Sequence, residues 1–500
     1  MSAVVLLMID GPNAPLLLDE HVSYWIAGGE NPGTLVTRSL EYSATPPLTF
    51  ALQRTLLSES QPQPYQLRLV SWMGFLLGIA CVFFVGRDLG GTVCGGAAAL
   101  LLAWNPEILE LMRVGRPYGL SVGLSAVSLW AMVKLFDRPH SLVRAGILGI
   151  TQALLLWTHY VNLPLVAVQL MLLLFDGLAF RLPEKDCPDR SAILLCFAIC
   201  GIAIVPLLAP MLRMQELSEF LNYRADPVSF RDAIHPVWWI GVPAGLLAIR
   251  ASAFRKRSAD SGAIPDRVHV VSSLVLMGVV PVLALWGASH WWEAALGEVR
   301  YRAVYAPALS LLVCVIFCRV SKFAEGPLVG IIACLAIAWI MQGTIPWRSS
   351  LSSDPAANDW RIMAENLQQN GREGDPIFVY SGLIESRLVN AYFADPLFMD
   401  YAACRMGRFY LPREHPRIAI PYTVASTPEL NDYYLAQTQA AGQNGRSIWL
   451  AVSIDTDLGQ LAEREISRLI LAQGFEIAAQ TDTLTARLIQ FRPTSPGLPE

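Results

Sequence analysis

Long stretches of the sequence contain no Asp, Glu, Lys, Arg or His. Residues 69–86, 191–212 and 326–347 form three of them. A helix that spans the hydrocarbon core of a bilayer needs about 20 predominantly apolar residues, so each stretch is long enough to cross. Hydrophobic residues make up 54% of the 500 positions and charged residues 16%, whereas soluble domains carry roughly 25% charged residues. The sequence therefore predicts a polytopic all-α membrane protein.

The apolar runs predict ten transmembrane spans after a first loop. They lie at 67–86, 92–112, 117–135, 144–158, 161–178, 191–212, 234–250, 268–288, 301–318 and 327–346. Residues 1–18 add only a short apolar stretch that contains Asp10, Gly11 and Pro12. That stretch is too short to span, so either the first loop follows an incomplete helix or the true start lies further upstream. The prediction is about 10–11 transmembrane helices.

One apolar run is long enough for two short spans. Residues 145–175 contain no Asp, Glu, Lys or Arg, and Arg residues flank both ends of this run. Because positively charged loops stay in the cytoplasm, both ends belong on that side. We therefore expect a helical hairpin that turns near His159, Asn162 and Pro164.

The remaining positive charges follow the same alternation. The loops that contain Arg87, the basic cluster 250–267 and Arg319 fall on the cytoplasmic side. The first loop, residues 19–66, and everything after position 347 then lie outside. The sequence predicts a membrane module at 1–347 and an extracytoplasmic domain at 348–500.

Residues 348–500 differ in composition from the rest of the chain. Charged residues return, and short β-rich runs at 377–380, 418–420 and 448–452 alternate with helical segments. Residues 458–472 carry apolar positions at the spacing of an amphipathic helix, which needs a sheet to cover one face. The prediction is a small C-terminal α/β domain.

Charge and cysteine usage exclude several classes of site. A net charge of −4 argues against nucleic-acid binding, which requires clustered Lys and Arg. The nine Cys residues form no Cys-x-x-Cys or Cys/His ligand pattern. No cofactor is expected, and two adjacent acids are insufficient to demand a divalent metal.

The adjacent acids Asp19 and Glu20 head the first loop. A carboxylate beside a membrane can accept a proton from an acceptor hydroxyl, and partial burial raises its pKa towards a working value. The alternative is a solvated or helix-capping acidic pair.

Several short motifs follow these acids in a fixed order. They are Thr45-Pro46-Pro47-Leu48, Leu67-Arg68-Leu69-Val70-Ser71, Gly86-Arg87-Asp88-Leu89-Gly90, Ala103-Trp104-Asn105-Pro106, Arg116-Pro117-Tyr118-Gly119-Leu120, Thr158-His159-Tyr160, Arg300-Tyr301 and Ala306-Pro307-Ala308. Their order and spacing resemble the polyprenyl-phosphate-sugar-dependent glycosyltransferases of the GT-C fold. That group includes the protein O-mannosyltransferases and the aminoarabinose transferases.

The resemblance implies inverting transfer of a sugar from a polyprenyl phosphate to an acceptor on the extracytoplasmic face of a bacterial inner membrane. Asp19 matches the position of the family's general base, and Glu20 is expected to position it or the acceptor. Members often carry a second acid two or three residues before the Arg of the Arg-x-Tyr motif, where this chain has Val114 and Arg113. Glu110, one helical turn before Val114, is the candidate replacement.

The same resemblance implies a set of substrate-binding residues. They are Arg116, Tyr118, His159, Tyr160, Arg300, Tyr301 and Arg302. A cation near the departing phosphate would stabilise its charge. The alternative for each Arg is an ordinary interfacial residue whose side chain extends to the lipid headgroups. His159 could hydrogen-bond a sugar or the acceptor, or it could cap a helix end or line an interface.

Two other functions remain open at this point. One is a transporter or flippase of lipid-linked glycans, which normally places ionisable groups near the bilayer centre. The other is a non-catalytic GT-C-like assembly subunit, for which the missing acid near Val114 is the best argument. Membrane lipids and a lipid-linked sugar are the expected partners, and no motif distinguishes a protein, lipid or polysaccharide acceptor.

Overall fold

A computed structural model describes most of the chain. The described residues are 12–29, 31–58, 61–179, 188–220, 229–230, 268–291, 296, 298–321, 355–411 and 414–494. The predicted spans 234–250 and 327–346 and the predicted boundary at 347/348 lie outside them. The first eleven residues lie outside them too.

The described residues before position 322 are helical wherever they have regular structure. Its helices are α1 (Leu18–Ala27), α2 (Pro32–Thr37), α3 (Leu48–Leu56), α4 (Pro64–Gly90), α5 (Thr92–Ala103), α6 (Pro106–Met112), α7 (Tyr118–Asp137), α8 (Leu142–Thr158), α9 (Leu163–Ala179), α10 (Arg190–Phe220), α11 (Val268–Trp291), α12 (Val299–Arg302) and α13 (Ala306–Ser321). Short π and 3-10 segments occupy Arg38–Tyr42, Tyr160–Asn162 and Ala303–Tyr305.

Four helical segments among the described residues are long and apolar enough to cross a membrane. They are Pro64–Gly90, Tyr118–Asp137, Arg190–Arg213 and Ser273–Trp291. Each coincides with a predicted span. Shorter apolar helices occupy other predicted spans at Thr92–Ala103, Leu142–Thr158 and Tyr160–Leu174.

The predicted span 92–112 is two helices rather than one. Helix α5 ends at Ala103 and α6 begins at Pro106. Proline has no backbone N–H to donate and pushes the preceding residue out of the helical region. The side chain of Asn105 then caps α6 by accepting the backbone N–H of Ile108 at 3.4 Å.

The hairpin predicted within 145–175 is confirmed: α8 and α9 are joined by a turn at His159–Asn162. Buried amides attach the hairpin to α7. Gln152 donates to Gln169 at 3.1 Å, and Gln169 donates to Ser128 at 2.8 Å. At the turn itself, Asn162 donates to Ser121 at 3.0 Å. Such neutral bonds hold helices together where no water competes.

Helices α4 and α7 pack with their backbones in direct contact. A Cβ added at Gly119 would lie 2.3 Å from the carbonyl oxygen of Ser71, and one at Gly123 would lie 2.3 Å from that of Gly74. Small residues permit this approach between membrane helices. The contact fixes the start of α7 against the start of α4.

The C-terminal domain is a five-stranded sheet flanked by helices. Its strands are β1 (Ile377–Tyr380), β2 (Arg417–Ala419), β3 (Ile448–Ser453), β4 (Phe475–Asp482) and β5 (Ala486–Pro493), and its helices are α14 (Pro355–Asn370), α15 (Val389–Tyr392), α16 (Pro396–Ala402), α17 (Pro428–Gln443) and α18 (Asp457–Ala472). The strand order is β2-β1-β3-β5-β4. The first three strands are parallel, and β5 is antiparallel to both of its neighbours.

The sequence analysis predicted this domain in part. The three parallel strands and the amphipathic helix α18 are confirmed, and α18 buries Ile466 and Ile470. The hairpin of β4 and β5 was missed. Most positions of β4 are exposed on both faces, so this strand lacks the alternation by which a half-buried strand is recognised.

The first loop shares a hydrophobic core with this domain. Val22, Trp25 and Ile26 of α1 and Phe50 of α3 pack in one cluster with core residues such as Trp360. Residues 19–66, which the sequence analysis assigned to the membrane module, thus contribute to the packing of the C-terminal domain. The loop and the domain therefore lie on the same face of the helical part.

We expect Gly119→Ala to destabilise the protein. Its added methyl group would meet the backbone of Ser71 at 2.3 Å, and overpacking of this kind costs about 1–3 kcal/mol. Thermal unfolding in detergent measures the change. Gly96→Ala on α5 is the matched control, because nothing lies within 4 Å of a Cβ at that position. Equal melting temperatures for the two variants would contradict the packing described.

Candidate active site

A buried ion pair anchors the start of the first loop. Arg68 of α4 donates to Glu20 through Nε at 2.8 Å and through Nη2 at 2.7 Å. The side chains are 1% and 0% exposed. Glu20 also accepts the backbone N–H of Gly115 at 2.7 Å and that of Leu17 at 3.0 Å. Four donors thus surround one carboxylate.

These contacts give Glu20 an anchoring position. They join α1 to α4 and to the turn between α6 and α7, and they leave Glu20 without accessible surface. Successive residues of an α-helix point about 100° apart, so fixing Glu20 inward turns Asp19 away from this pair. The side chain of Asp19 is 46% exposed. A positioning role for Glu20 stays a prediction.

Asp19 faces the guanidinium group of Arg116. The distance from Asp19 Oδ2 to Arg116 Nε is 3.8 Å, and Arg116 Nη1 donates to the backbone carbonyl of Asp19 at 3.4 Å. Arg116 is 15% exposed at the side chain and lies two residues before the first residue of α7. A potential base and a cation are therefore adjacent at one end of the helical part.

The hairpin turn at His159 connects the remaining segments of the site. The ring of His159 stacks on Tyr118 with centroids 6.2 Å apart, and it meets Tyr301 edge-on at 5.7 Å. Tyr305 donates its hydroxyl to the carbonyl of Val161 at 3.1 Å. The turn thus holds the Arg116 segment and the Arg300 segment side by side.

His159 is neutral in this environment. Burial lowers its pKa to about 3, and the positive charges of Arg116 and Arg300 add to that effect. Its Nδ1 accepts the backbone N–H of Val161 at 3.3 Å, so the ring proton belongs on Nε2. The geometry matches the capping alternative considered above and leaves Nε2–H as a donor.

Arg300 supplies a second guanidinium to the same region. Its Nε lies 2.7 Å from Glu298 Oε2, and its charge centre lies 5.0 Å from the ring centroid of Tyr301. Arg300 also interacts electrostatically with Asp19 and Tyr118. The structure therefore brings together six of the residues that the sequence analysis selected: Asp19, Arg116, Tyr118, His159, Arg300 and Tyr301.

Three selected residues lie differently. Tyr160 is part of the hairpin turn and packs against the helical core, and burial raises its pKa to about 12. Arg302 ends α12 two residues after Arg300. Glu110 lies on α6 with an exposed side chain, and no described contact joins it to Asp19. Their predicted roles stay predictions.

Sequence reasoning gave no role to several residues that shape the site. Arg68 was noticed only as part of a motif, although a charged residue that opens an otherwise charge-free span is itself a signal of a buried partner. Asn162 and Tyr305 fix the hairpin turn through hydrogen bonds, which a sequence pattern does not reveal. Among the residues that the structure describes, no group of three or more His, Cys, Asp or Glu is placed to hold a metal ion.

Removing one member of the buried ion pair should strongly destabilise the protein. We expect Arg68→Met to leave the Glu20 charge uncompensated in the interior, at a cost of about 3–5 kcal/mol. Arg361→Met is the control, because its pairing with Glu365 involves side chains that are 41% and 55% exposed, and exposed pairs contribute about 0–1 kcal/mol. Thermal unfolding of both variants measures the difference. Equal stability of Arg68→Met and the wild type would refute the anchoring role.

A second buried histidine resembles His159 in its charge state. His21 is 1% exposed on α1, and burial lowers its pKa to about 3, with the charge of Arg405 adding to the effect. In the unfolded chain both rings have a pKa of about 6.5. Between about pH 6.5 and 3 the unfolded state therefore binds protons that the folded state excludes, so the free energy of unfolding falls as the pH falls.

We expect the double variant His21→Asn/His159→Asn to lose most of this acid sensitivity. The melting temperature of the wild type should fall between pH 7.5 and 5, and that of the double variant should fall less. His140→Asn, at an exposed loop position, should behave as the wild type does. Parallel pH profiles for all three proteins would contradict the neutral state of the two buried rings.

The structure resembles solved structures of ArnT from Cupriavidus metallidurans. With the structure bound to undecaprenyl phosphate it shares 13% identity over 98% of this chain and 96% of that chain, at a TM-score of 0.55. With the apo structure it shares 15% identity over the same proportions, at a TM-score of 0.52. The oligosaccharyltransferase of Archaeoglobus fulgidus in complex with Zn and sulfate aligns at 13% identity over 91% of this chain and 68% of that chain, with a TM-score of 0.46.

No protein-family model and no curated protein matches the sequence. At such low identity, the structural likeness to ArnT shows a common fold and nothing finer. The chain therefore has the fold of ArnT over nearly its whole length, and the GT-C fold predicted from its sequence motifs is confirmed.

Proposed function

We propose that this protein is an integral membrane glycosyltransferase. It transfers a sugar from a polyprenyl-phosphate donor to an acceptor hydroxyl, with inversion, on the extracytoplasmic face. The observation that carries the proposal is the juxtaposition of Asp19 and Arg116, with Oδ2 and Nε 3.8 Å apart. The base must lie beside the acceptor hydroxyl, and the cation must lie beside the leaving phosphate. Both of these groups are bound to or approach the anomeric carbon, and Asp19 and Arg116 are adjacent.

The proposed reaction is a single displacement. Asp19 accepts the proton of the acceptor hydroxyl while its oxygen attacks the anomeric carbon. The bond from that carbon to the phosphate oxygen breaks, and its electron pair leaves with the polyprenyl phosphate. A phosphodiester with one negative charge becomes a monoester with up to two, so cations beside the leaving group stabilise the transition state.

Arg116 and Arg300 are the proposed phosphate ligands. Both lie in the region of Asp19, and guanidinium groups bind phosphate oxygens in a bidentate manner. The neutral ring of His159 offers its Nε2–H as a further donor without adding charge. ArnT has been solved with undecaprenyl phosphate bound. Because this protein shares the ArnT fold, that complex supports a lipid phosphate of this class as the carrier of the donor sugar.

The proposed location is a bacterial inner membrane, with the site and the C-terminal domain outside. The common core of the first loop and that domain supports their placement on one side, as the alternation of positive loops predicts. The buried polar groups that link α7, α8 and α9 are amides and hydroxyls. A transporter pathway normally needs ionisable groups at that depth, so the enzyme is the better-supported function.

Replacement of the proposed base is the direct test. Purified protein in lipid is incubated with a panel of polyprenyl-phosphate sugars, and sugar release is followed. Asp19→Asn keeps the shape of the side chain but cannot accept the proton, so we expect activity to fall about 10²–10⁴-fold. Glu41→Gln, at an exposed position of the same loop, should retain activity. Full activity of Asp19→Asn would exclude it as the base, and no turnover of any donor would favour the other two functions.

A further inference from the structure

The turn after β1 carries an acidic residue of the C-terminal domain. Gly382 has a φ of +75°, a conformation that favours glycine. The chain then forms one turn of 3-10 helix, Ile384–Leu388, which contains Glu385. Because β1 is the middle strand of the three parallel strands, this turn lies at the carboxyl edge of the parallel set, where ligands of α/β sheets commonly bind.

Hydrogen bonds hold this turn in a fixed place. Ser381 donates to the carbonyl of Ala402 at 2.7 Å, and Ser386 donates to that of Leu383 at 2.6 Å. Arg405 donates to the carbonyl of Ser381 at 3.1 Å. The turn is thus tied to the C-terminal end of α16 and to the residues that follow it.

Helix α16 packs directly on the helix that bears Asp19. The rings of Trp25 and Tyr401 lie 5.0 Å apart, and Trp25 donates to Asp400 at 2.8 Å. Tyr401 is 1% exposed and interacts electrostatically with both Glu385 and Asp19. Helix α16 therefore lies between the helix that bears Asp19 and the turn that bears Glu385.

Glu385 lies within the charge cluster of the candidate site. Its electrostatic neighbours are Asp19, Arg116, Arg300, Tyr401 and Cys404. Its side chain is partly buried. Burial raises the pKa of Glu385, and the negative charge of Asp19 acts in the same direction, while the two guanidinium groups oppose them.

We infer that Glu385 is a second carboxylate of the active site, supplied by the C-terminal domain, and that it acts as a positioning residue opposite the phosphate ligands. This inference rests on the proposed function. The Glu385 anion competes with the product phosphate for Arg116 and Arg300. It thereby weakens retention of the doubly charged polyprenyl phosphate after transfer and favours its release.

Binding of undecaprenyl phosphate tests the inference without an active assay. The full-length protein in phosphatidylcholine nanodiscs is titrated with this lipid between pH 5 and 9. We expect Glu385→Gln to bind about fivefold more tightly than the wild type at high pH, because one repulsive charge is removed from the cluster. At low pH wild-type Glu385 is protonated, so the ratio of the two dissociation constants should approach one.

Three variants make the result specific. Glu476→Gln, at an exposed position of β4, should match the wild type at every pH. Glu385→Asp should keep the wild-type pH dependence. Glu385→Ala should reproduce the tighter binding and replaces Glu385→Gln if that variant does not fold. A role in folding alone would not produce a ratio that depends on pH.

The two hypotheses fail in different ways. If Arg116→Gln weakens binding while the ratio for Glu385→Gln stays at one throughout the pH range, the inference about Glu385 is overturned and the proposed function stands. If the wild type does not bind undecaprenyl phosphate, the proposed function is overturned, and the inference that rests on it falls too.

Discussion

The buried pair of Glu20 and Arg68 is the interaction on which the site depends. Ion pairs without access to water are stabilising only when the remaining hydrogen-bonding groups are also satisfied. Here Glu20 accepts backbone N–H groups from Gly115 and Leu17 in addition to the guanidinium. The same contacts that satisfy this charge also bring α1, α4 and the Arg116 turn together. The orientation of Asp19 follows from the rotation of one residue along α1.

The second half of the site is built by close packing and neutral hydrogen bonds. The glycine contacts between α4 and α7 fix the position of the first turn of α7 against α4, and hence the position of Tyr118. Asn162 and Tyr305 then fix the hairpin turn against α7 and against the segment of Arg300. Arg116 and Arg300 pair with Asp19 and Glu298 and do not themselves join these helices.

Hydropathy and charge alternation predicted much of the fold. The spans that became α4, α7, α10 and α11, the α8–α9 hairpin and the parallel strands of the C-terminal domain each have a local signal of period or flanking charge. The break at Asn105 has a signal too, in the following proline, but the surrounding apolar run concealed it. Strand β4 has no amphipathic pattern, so only its pairing with β5 makes it a strand.

The site was predictable to a different extent. Motif order selected the six residues that the structure brings together, yet it gave no indication of how Asp19 and Glu20 divide between exposure and burial. Glu385 was beyond reach, because 366 positions of sequence separate it from Asp19 and no motif surrounds it. Only tertiary contacts such as that of Trp25 with Asp400, 375 positions apart, relate the two segments.

The shared core of the first loop and the C-terminal domain also constrains the order in which the parts of the protein fold during synthesis. Val22, Trp25 and Ile26 are synthesised long before the packing partners that the C-terminal domain supplies, which begin at Trp360. During synthesis the apolar face of α1 therefore stays uncovered until the C-terminal domain has been made. Contacts of such high sequence separation form late and slowly. The segment that bears Asp19 is consequently completed last, and a polypeptide truncated before the C-terminal domain would reach the membrane without an ordered site.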